Sequence, residues 1–265
     1  MENPNQKAKR DLPSLRLSLN GLLKIADEII NDVQYSEDDH LGFMALCFLS
    51  KQIDHSRSIL RLIPSRDAVL VARSMIEGLC QLLSAAKDPK VLPLRWRAFA
   101  WVHDWRVLRA QISAGVPIDS TRCLAIDDAL LQHGNQFLKP KARKALDRGS
   151  PLPDDPYYES WRTVHSIRQI CESVGGEDLY LKLYKPFSDW HHWGAGGLGD
   201  ALVRQQNRVV YSSLSETDSA SALATGFQCL LQTVQVTDTH LDIGMATRIT
   251  EMRDEFVRLH GEPSN

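Results

Sequence analysis

The sequence predicts an all-α fold, a bundle of long antiparallel helices with one small β-hairpin near residues 200–212. Three observations carry this. Apolar residues recur three and four apart over long stretches. Prolines and N-capping residues interrupt those stretches at intervals that suit helix ends. Strand-like composition is confined to Val209, Val210 and Tyr211, with Ala201–Val203 as a nearby partner. At 265 residues and 43% hydrophobic content the chain can bury a sizeable core without staples.

A polar leader, residues 1–13, ends at Pro13. The first helix is expected from Ser14 to Val33, with Leu19, Leu22, Leu23, Ala26, Ile29, Ile30 and Val33 on its apolar face. Ser36–Asp39 signals the N-terminus of a second helix, which Pro64 ends because it has no N–H to donate and crowds the preceding turn. Ser65 opens a third helix, to about Lys87, with Val69, Ala72, Ile76, Leu79 and Leu83 on one face. A fourth, aromatic-rich helix spans about Leu92 to Ile112. Short helices follow at Thr121–Gln132 and Lys141–Leu146. Ser150–Pro156 is the clearest loop and the candidate subdomain boundary, although half-buried patterns on both sides favour a single domain over 14–265. Helices are expected at Tyr157–Val174 and Asp178–Tyr184. An irregular histidine/glycine loop then occupies 186–200, and Ser215–Asp218 caps a long helical region that reaches Leu259 and bends at Gly244.

Bulk properties exclude several classes. A net charge of −2 argues against a broad nucleic-acid footprint while leaving room for a local basic patch. The five cysteines are odd in number and far apart, and none forms Cys-x-x-Cys, so they read as free thiols in a reducing compartment. The start, MENPNQKAKRDLPS, has no apolar run and reads as no signal peptide. The longest charge-free stretch, Ser219–Thr237, carries Ser, Thr and Gln throughout, so no membrane span is expected. The expected setting is the bacterial cytoplasm.

Function is expected at Ser188–Asp200, SDWHHWGAGGLGD, where two histidines, two tryptophans and four glycines crowd an otherwise helical sequence. Adjacent histidines point in different directions, so at most one of His191 and His192 faces a site. A tryptophan-anchored turn whose histidines bond backbone carbonyls is the plainer reading. No His-x-x-x-His or His/Cys spacing supports a metal, and no cofactor is expected. Gly194, Gly196 and Gly199 form a GxGxxG, but no strand precedes it as a dinucleotide fingerprint requires, so the glycines read as a loop needing positive φ. On the third helix Arg73 and Glu77 stand four apart in a polar stripe with Arg66, Ser74, Gln81 and Ser84, which is either a solvated face or the lining of a cleft. Arg97–His103 and Arg253–His260 match the Arg-x(4–6)-His spacing of HEPN-type ribonucleases. With 20 arginines and 9 histidines in the chain, about two matches arise by chance, so the pattern has no weight. Arginines and tryptophans interleave from Arg95 to Arg109. A core face of Ala98, Trp101, Val102, Trp105, Leu108 and Ile112 opposite a solvated basic face explains that better than base stacking does.

Taken together, Arg73-Ser-Met-Ile-Glu77-Gly, the arginine-bearing aromatic helix with Arg97 and Phe99, Trp161, and Tyr180-Leu-Lys-Leu-Tyr184-Lys-Pro-Phe-Ser188-Asp-Trp-His-His192 resemble the bacterial domain of unknown function 5677 family. The resemblance covers about Leu41 to His192. It implies an all-helical fold and an Arg-x-x-x-Glu … Ser-x-x-x-His pattern on Arg73, Glu77, Ser188 and His192, and it selects His192 over His191. It supplies no activity.

Two functions follow as expectations. In the first, Arg73 holds an anion, Glu77 orients it or shares a proton, and His192 is a general acid or base positioned by Ser188, with Asp189, His191, Arg97, Trp161 and Tyr184 contacting substrate. Its concrete form is a metal-independent ribonuclease of defence or toxin type, with RNA or a small anionic ligand as partner. In the second, the same groups form a structural polar network in a non-catalytic helical scaffold or protein-interaction module, which binds partners through its long C-terminal helices. A homodimer through the long C-terminal helices is expected in either case.

Overall fold

The structure is a computed structural model that describes residues 4–206 and 208–261. Its helices in chain order are α1 (Pro4–Asp32), α2 (His40–Leu62), α3 (Ala68–Lys87), α4 (Leu92–Ser113), α5 (Ser120–His133), α6 (Pro140–Asp147), α7 (Ile167–Ser173) and α8 (Glu177–Leu179). A π-helical turn, Tyr180–Tyr184, joins α8 to α9 (Lys185–His191). Then come α10 (Ala195–Gly199), the strands β1 (Leu202–Gln205) and β2 (Arg208–Tyr211), α11 (Glu216–Leu241) and α12 (Ala246–His260). The fold is all-α with one small antiparallel hairpin, in which Leu202 faces Tyr211 and Val203 faces Val210. Internal packing divides the chain into two compact units: residues 1–87 with 167–265, and residues 88–166. The Ser150–Pro156 loop lies inside the second.

The first unit is built around α11, which packs against α1, α2 and α3. Leu223, Phe227, Leu230 and Val234 on α11 are buried with Leu19, Leu22 and Ile29 on α1, Leu49 and Ile59 on α2, and Met75, Ile76 and Leu79 on α3. Gly226 allows the close approach: a methyl group there would sit 3.1 Å from Ile59 Cδ1. Thr233 and Thr237 are accommodated in this apolar setting because each donates to the carbonyl four residues back, at 2.8 Å. Phe256 of α12 stacks on Phe227 at a centroid distance of 4.0 Å.

Caps explain the boundaries. Asp39 accepts from the Gly42 N–H at 2.9 Å and also meets His240 Nε2 at 2.8 Å. Burial alone would raise its pKa, but the Gly42 N–H and His240 outweigh that and hold it below the usual carboxylate range. Ser215 caps α11 by accepting from the Asp218 N–H. Three expectations need correction here. The first helix starts at Pro4, not Ser14, because Ala8 and Leu12 extend the apolar stripe, and Pro13 is carried inside the helix with its unserved carbonyl partner, Lys9, exposed. The final helical region is two helices, because Asp242 and Gly244 adopt positive φ, 51° and 83°, and Asp238 holds the turn by accepting from the Met245 N–H just before the second. The long helix expected from Tyr157 is irregular up to Ile167.

The second unit explains that last difference. The Tyr157 and Tyr158 carbonyls both accept from Arg106 Nη2, at 3.1 and 3.0 Å, and the Tyr158 N–H bonds the Phe137 carbonyl. These groups are therefore unavailable for a helical ladder. Trp105 packs edge-on against Tyr157 and Phe99 against Phe137. Arg95 and Arg106 do not belong to a solvated basic face, since Arg95 donates to Thr163 and Arg106 binds Asp155. Ile112, expected in the core, is exposed.

α3 is long and apolar enough to cross a membrane by composition, and half of that stretch is buried in the bundle, where the centre of the fold uses it as a core helix. At its N-terminal end Arg66, only 12% exposed, binds Asp218 at 2.5 Å, the Asp200 carbonyl at 2.6 Å and the Ser212 carbonyl at 3.2 Å. One guanidinium thus fastens the hairpin and the start of α11 to α3. Arg66→Ala should destabilise the protein by roughly 2–4 kcal/mol in urea denaturation, since it leaves Asp218 and two carbonyls unpaired. Arg66→Lys, which keeps the charge but not the fork, should recover only part of that.

Candidate functional site

The site begins with two side chains one turn apart on α3. Arg73 and Glu77 are both half-buried, not solvated. Across from them the chain turns through Tyr180–Tyr184 in π-helical geometry, with the Lys185 N–H bonding the Tyr180 carbonyl. Pro186 then falls in the first turn of α9, where a missing N–H costs nothing. The widened turn and the tolerated proline keep the segment helical where a loop at 186–200 was expected. Tyr184 and Ser188 therefore lie one turn apart on one helical face and meet α3 together.

Arg73 joins them. Its Nε donates to Ser188 Oγ at 2.9 Å and its Nη2 donates to the Tyr184 hydroxyl at 2.9 Å. The guanidinium also lies over the Tyr184 ring, 4.8 Å from its centroid. The Tyr184 hydroxyl in turn makes a long hydrogen bond to Glu77, at 3.5 Å. The resulting chain is Ser188–Arg73–Tyr184–Glu77. Burial pushes the Tyr184 phenol up, and nearby Glu77 adds to this, while Arg73 opposes it. Among the described residues no carboxylate is in ion-pair contact with Arg73.

His192 sits one turn beyond Ser188, at the C-terminal cap of α9, with its N–H on the Ser188 carbonyl at 2.9 Å. It is exposed, and its ring lies edge-on to His191 at 4.6 Å. Asp189 and His191 are also exposed. Four of the expected residues, Arg73, Glu77, Tyr184 and Ser188, thus form one hydrogen-bonded network. His192, His191 and Asp189 lie on the adjoining surface. Arg97, on α4, and the buried Trp161 belong to the second unit.

The glycines act differently from expectation. None of Gly194, Gly196, Gly197 and Gly199 has positive φ; in that segment it is Trp193 that does, at 59°. The constraint is close backbone approach: a Cβ on Gly197 would lie 2.7 Å from the Trp190 N and one on Gly194 3.0 Å from the Asp189 O. Trp190 is held by a hydrogen bond from its indole to Asp67 at 3.2 Å and stands 6.0 Å from the Arg66 guanidinium. Reading the sequence missed this role of Arg66. Its only signal was a charged residue just before the start of an apolar helix.

The chain matches the model of a family of unknown function (DUF5677) over residues 42–209, more than half its length. It belongs to this family. The matched segment contains every residue of the Arg73 network and both histidines, and leaves α1, α11 and α12 outside it. No curated protein and no solved structure matches the chain. The family's unknown function puts the weight of any functional argument on the geometry.

A cavity of about 480 Å³ also opens in the first unit, lined by Lys7, Leu183, Ser221, Phe256 and His260 among others. It includes none of the network residues, so its size does not bear on the site built on Arg73.

Two outcomes test this geometry. Gly197→Ala should destabilise or misplace α10 in thermal melts, whereas Gly196→Ala and Gly199→Ala, with open space around the added methyl, should be neutral or stabilising by up to about 1 kcal/mol. The second concerns pH. Tyr184 holds its proton more tightly folded than unfolded, so its contribution to stability is intact below about pH 10 and is lost as pH rises through the folded value. Tyr184→Phe should therefore flatten the alkaline limb of the stability–pH curve.

Proposed function

We propose that the Arg73 network is an anion-binding site and that His192 is its acid–base group. The observation carrying this reading is a half-buried guanidinium fixed by two neutral hydroxyls, Ser188 and Tyr184, with no carboxylate against it among the described residues. An unpaired cation in a partly desolvated position favours a negatively charged ligand, and the planar fork suits phosphate or carboxylate. Ser188 and Tyr184 fix the orientation of the fork. Glu77 acts through the Tyr184 hydroxyl and offsets part of the charge.

The concrete form is metal-independent cleavage of RNA by a defence- or toxin-type ribonuclease, in the reducing cytoplasm that the free thiols suggest. His192 would take the proton of a ribose 2′-hydroxyl as it attacks the adjacent phosphorus; the bond from phosphorus to the 5′-oxygen breaks, that oxygen takes a proton from water, a 2′,3′-cyclic phosphate is left, and Arg73 would balance the charge gathering on the phosphoryl oxygens. Asp189 and His191, beside it, would contact the strand. Exposure of His192 gives a flexible strand the access it needs.

A second reading has its own support. Both hydroxyl bonds of Arg73 tie α3 to the Tyr180–His191 segment, which is what a structural polar network would do. The variants separate the two. Under the first, purified wild type cleaves a mixed-sequence RNA oligonucleotide, His192→Ala loses cleavage by at least about 100-fold with a Tm within about 2 °C, and Arg73→Lys raises KM more than it lowers kcat. Under the second, wild type shows no cleavage and no binding of RNA or inorganic phosphate, and Arg73→Ala lowers Tm by several degrees.

A further inference from the structure

Sequence spacing leaves Cys80 and Cys171 ninety-one residues apart, yet the fold sets their sulfurs 2.8 Å from each other, with both residues essentially excluded from solvent. Cys80 is on the central helix α3 and Cys171 is on α7, the seven-residue helix that packs on it. Among the described residues no set of three Cys, His, Asp or Glu side chains is arranged to hold a metal ion, so the pair is not part of a ligand cluster. Both are free thiols.

We propose that Cys80 and Cys171 are an oxidisable pair that closes into a reversible disulfide, stapling α7 to α3. The oxidant class is a peroxide. The Cys171 thiolate attacks one peroxide oxygen, giving a sulfenic acid and releasing hydroxide. The Cys80 sulfur then attacks the Cys171 sulfur, and the hydroxyl leaves as water. In sum two thiols and one hydrogen peroxide become one disulfide and two waters, with two electrons passing from sulfur to peroxide. A dithiol reverses the step by exchange.

The order of attack follows from position: Cys171 is carried by the short helix α7, which opens, and Cys80 by the central helix α3. The hydrogen shared between the sulfurs lowers the Cys171 thiol, whereas the same contact and burial raise Cys80. Cys229, buried nearby, is pushed up chiefly by burial and is a poor competitor. Access comes through α7. It is short, its buried anchors are Ile170 and Cys171, and it ends at the Gly175–Gly176 turn, where Gly175 has positive φ. Short elements with few buried anchors open at low cost, and such an opening admits a small oxidant. The staple would fasten α7 three residues beyond Glu77 on the helix that carries Arg73. This proposal does not rest on the anion-binding reading.

The experiment treats the reduced, full-length protein with hydrogen peroxide, quenches by alkylation in denaturant, and maps peptides by mass spectrometry. The expected product is a single linkage between the Cys80 and Cys171 peptides. It disappears with dithiothreitol, is absent from Cys80→Ala and Cys171→Ala, and persists in Cys229→Ala. Oxidation should raise Tm by about 5 °C or more in wild type and Cys229→Ala but not in Cys80→Ala or Cys171→Ala, as a closed loop of this length predicts. Full alkylation of both cysteines under conditions that oxidise the exposed Cys47 would overturn the proposal, as would linkage of either one to Cys47, Cys123 or Cys229. Peptide mapping of wild type decides the matter even where a variant fails to fold.

Discussion

The enclosure of α11 by α1, α2 and α3 is the constraint on which the first unit depends. A helix with three occupied sides must be apolar or internally satisfied where it is covered, and α11 meets this with Leu223, Phe227, Leu230 and Val234 and with threonines that bond their own backbone. Its close packing at Gly226 fixes where α2 and α3 lie. Because α3 is held on that side, its other stripe, with Arg73 and Glu77, is presented to α9. The polar network is thus a consequence of the core.

Arg66 and Arg73, seven residues apart on or just before α3, divide the work. Arg66 is spent on architecture, with three of its donors on Asp218 and two backbone carbonyls. Arg73 is held by hydroxyls alone among the described residues, which keeps its charge uncompensated at contact distance. Two arginines two helical turns apart therefore have different chemistry, and the difference lies in whether a carboxylate reaches them. The same helix also carries Cys80, so the anion-site proposal and the thiol proposal concern one rigid element reached from two neighbours, α9 and α7.

Much of the fold was legible in the chain. The stripes of α1, α2, α3 and α11 are long and periodic, the caps at Asp39 and Ser215 are of the residue types that bond N-terminal amides, and the hairpin needed only a short β-branched run between turns. The parts that were not legible are those where a distant partner took over a local group. Arg106 claims the Tyr157 and Tyr158 carbonyls and prevents a helix; the π turn before Pro186 keeps helical a segment that reads as a loop; and α1 continues through Pro13 because Ala8 and Leu12 have a core to face.

For the site, the sequence by itself determined the residue types, the four-residue spacings of Arg73–Glu77 and Ser188–His192, and the pairing of the two that the family resemblance implied. The types and spacings are facts of one helix at a time, fixed by local periodicity; the pairing came from the resemblance alone. Only the tertiary structure decided that Tyr184 is the link between Arg73 and Glu77, that His192 faces solvent while Ser188 does not, that the glycines serve close approach instead of positive φ, and that Cys80 meets Cys171. Each depends on which faces of remote segments are pressed together, and that is set by burial of the whole apolar surface at once, a quantity no local window contains.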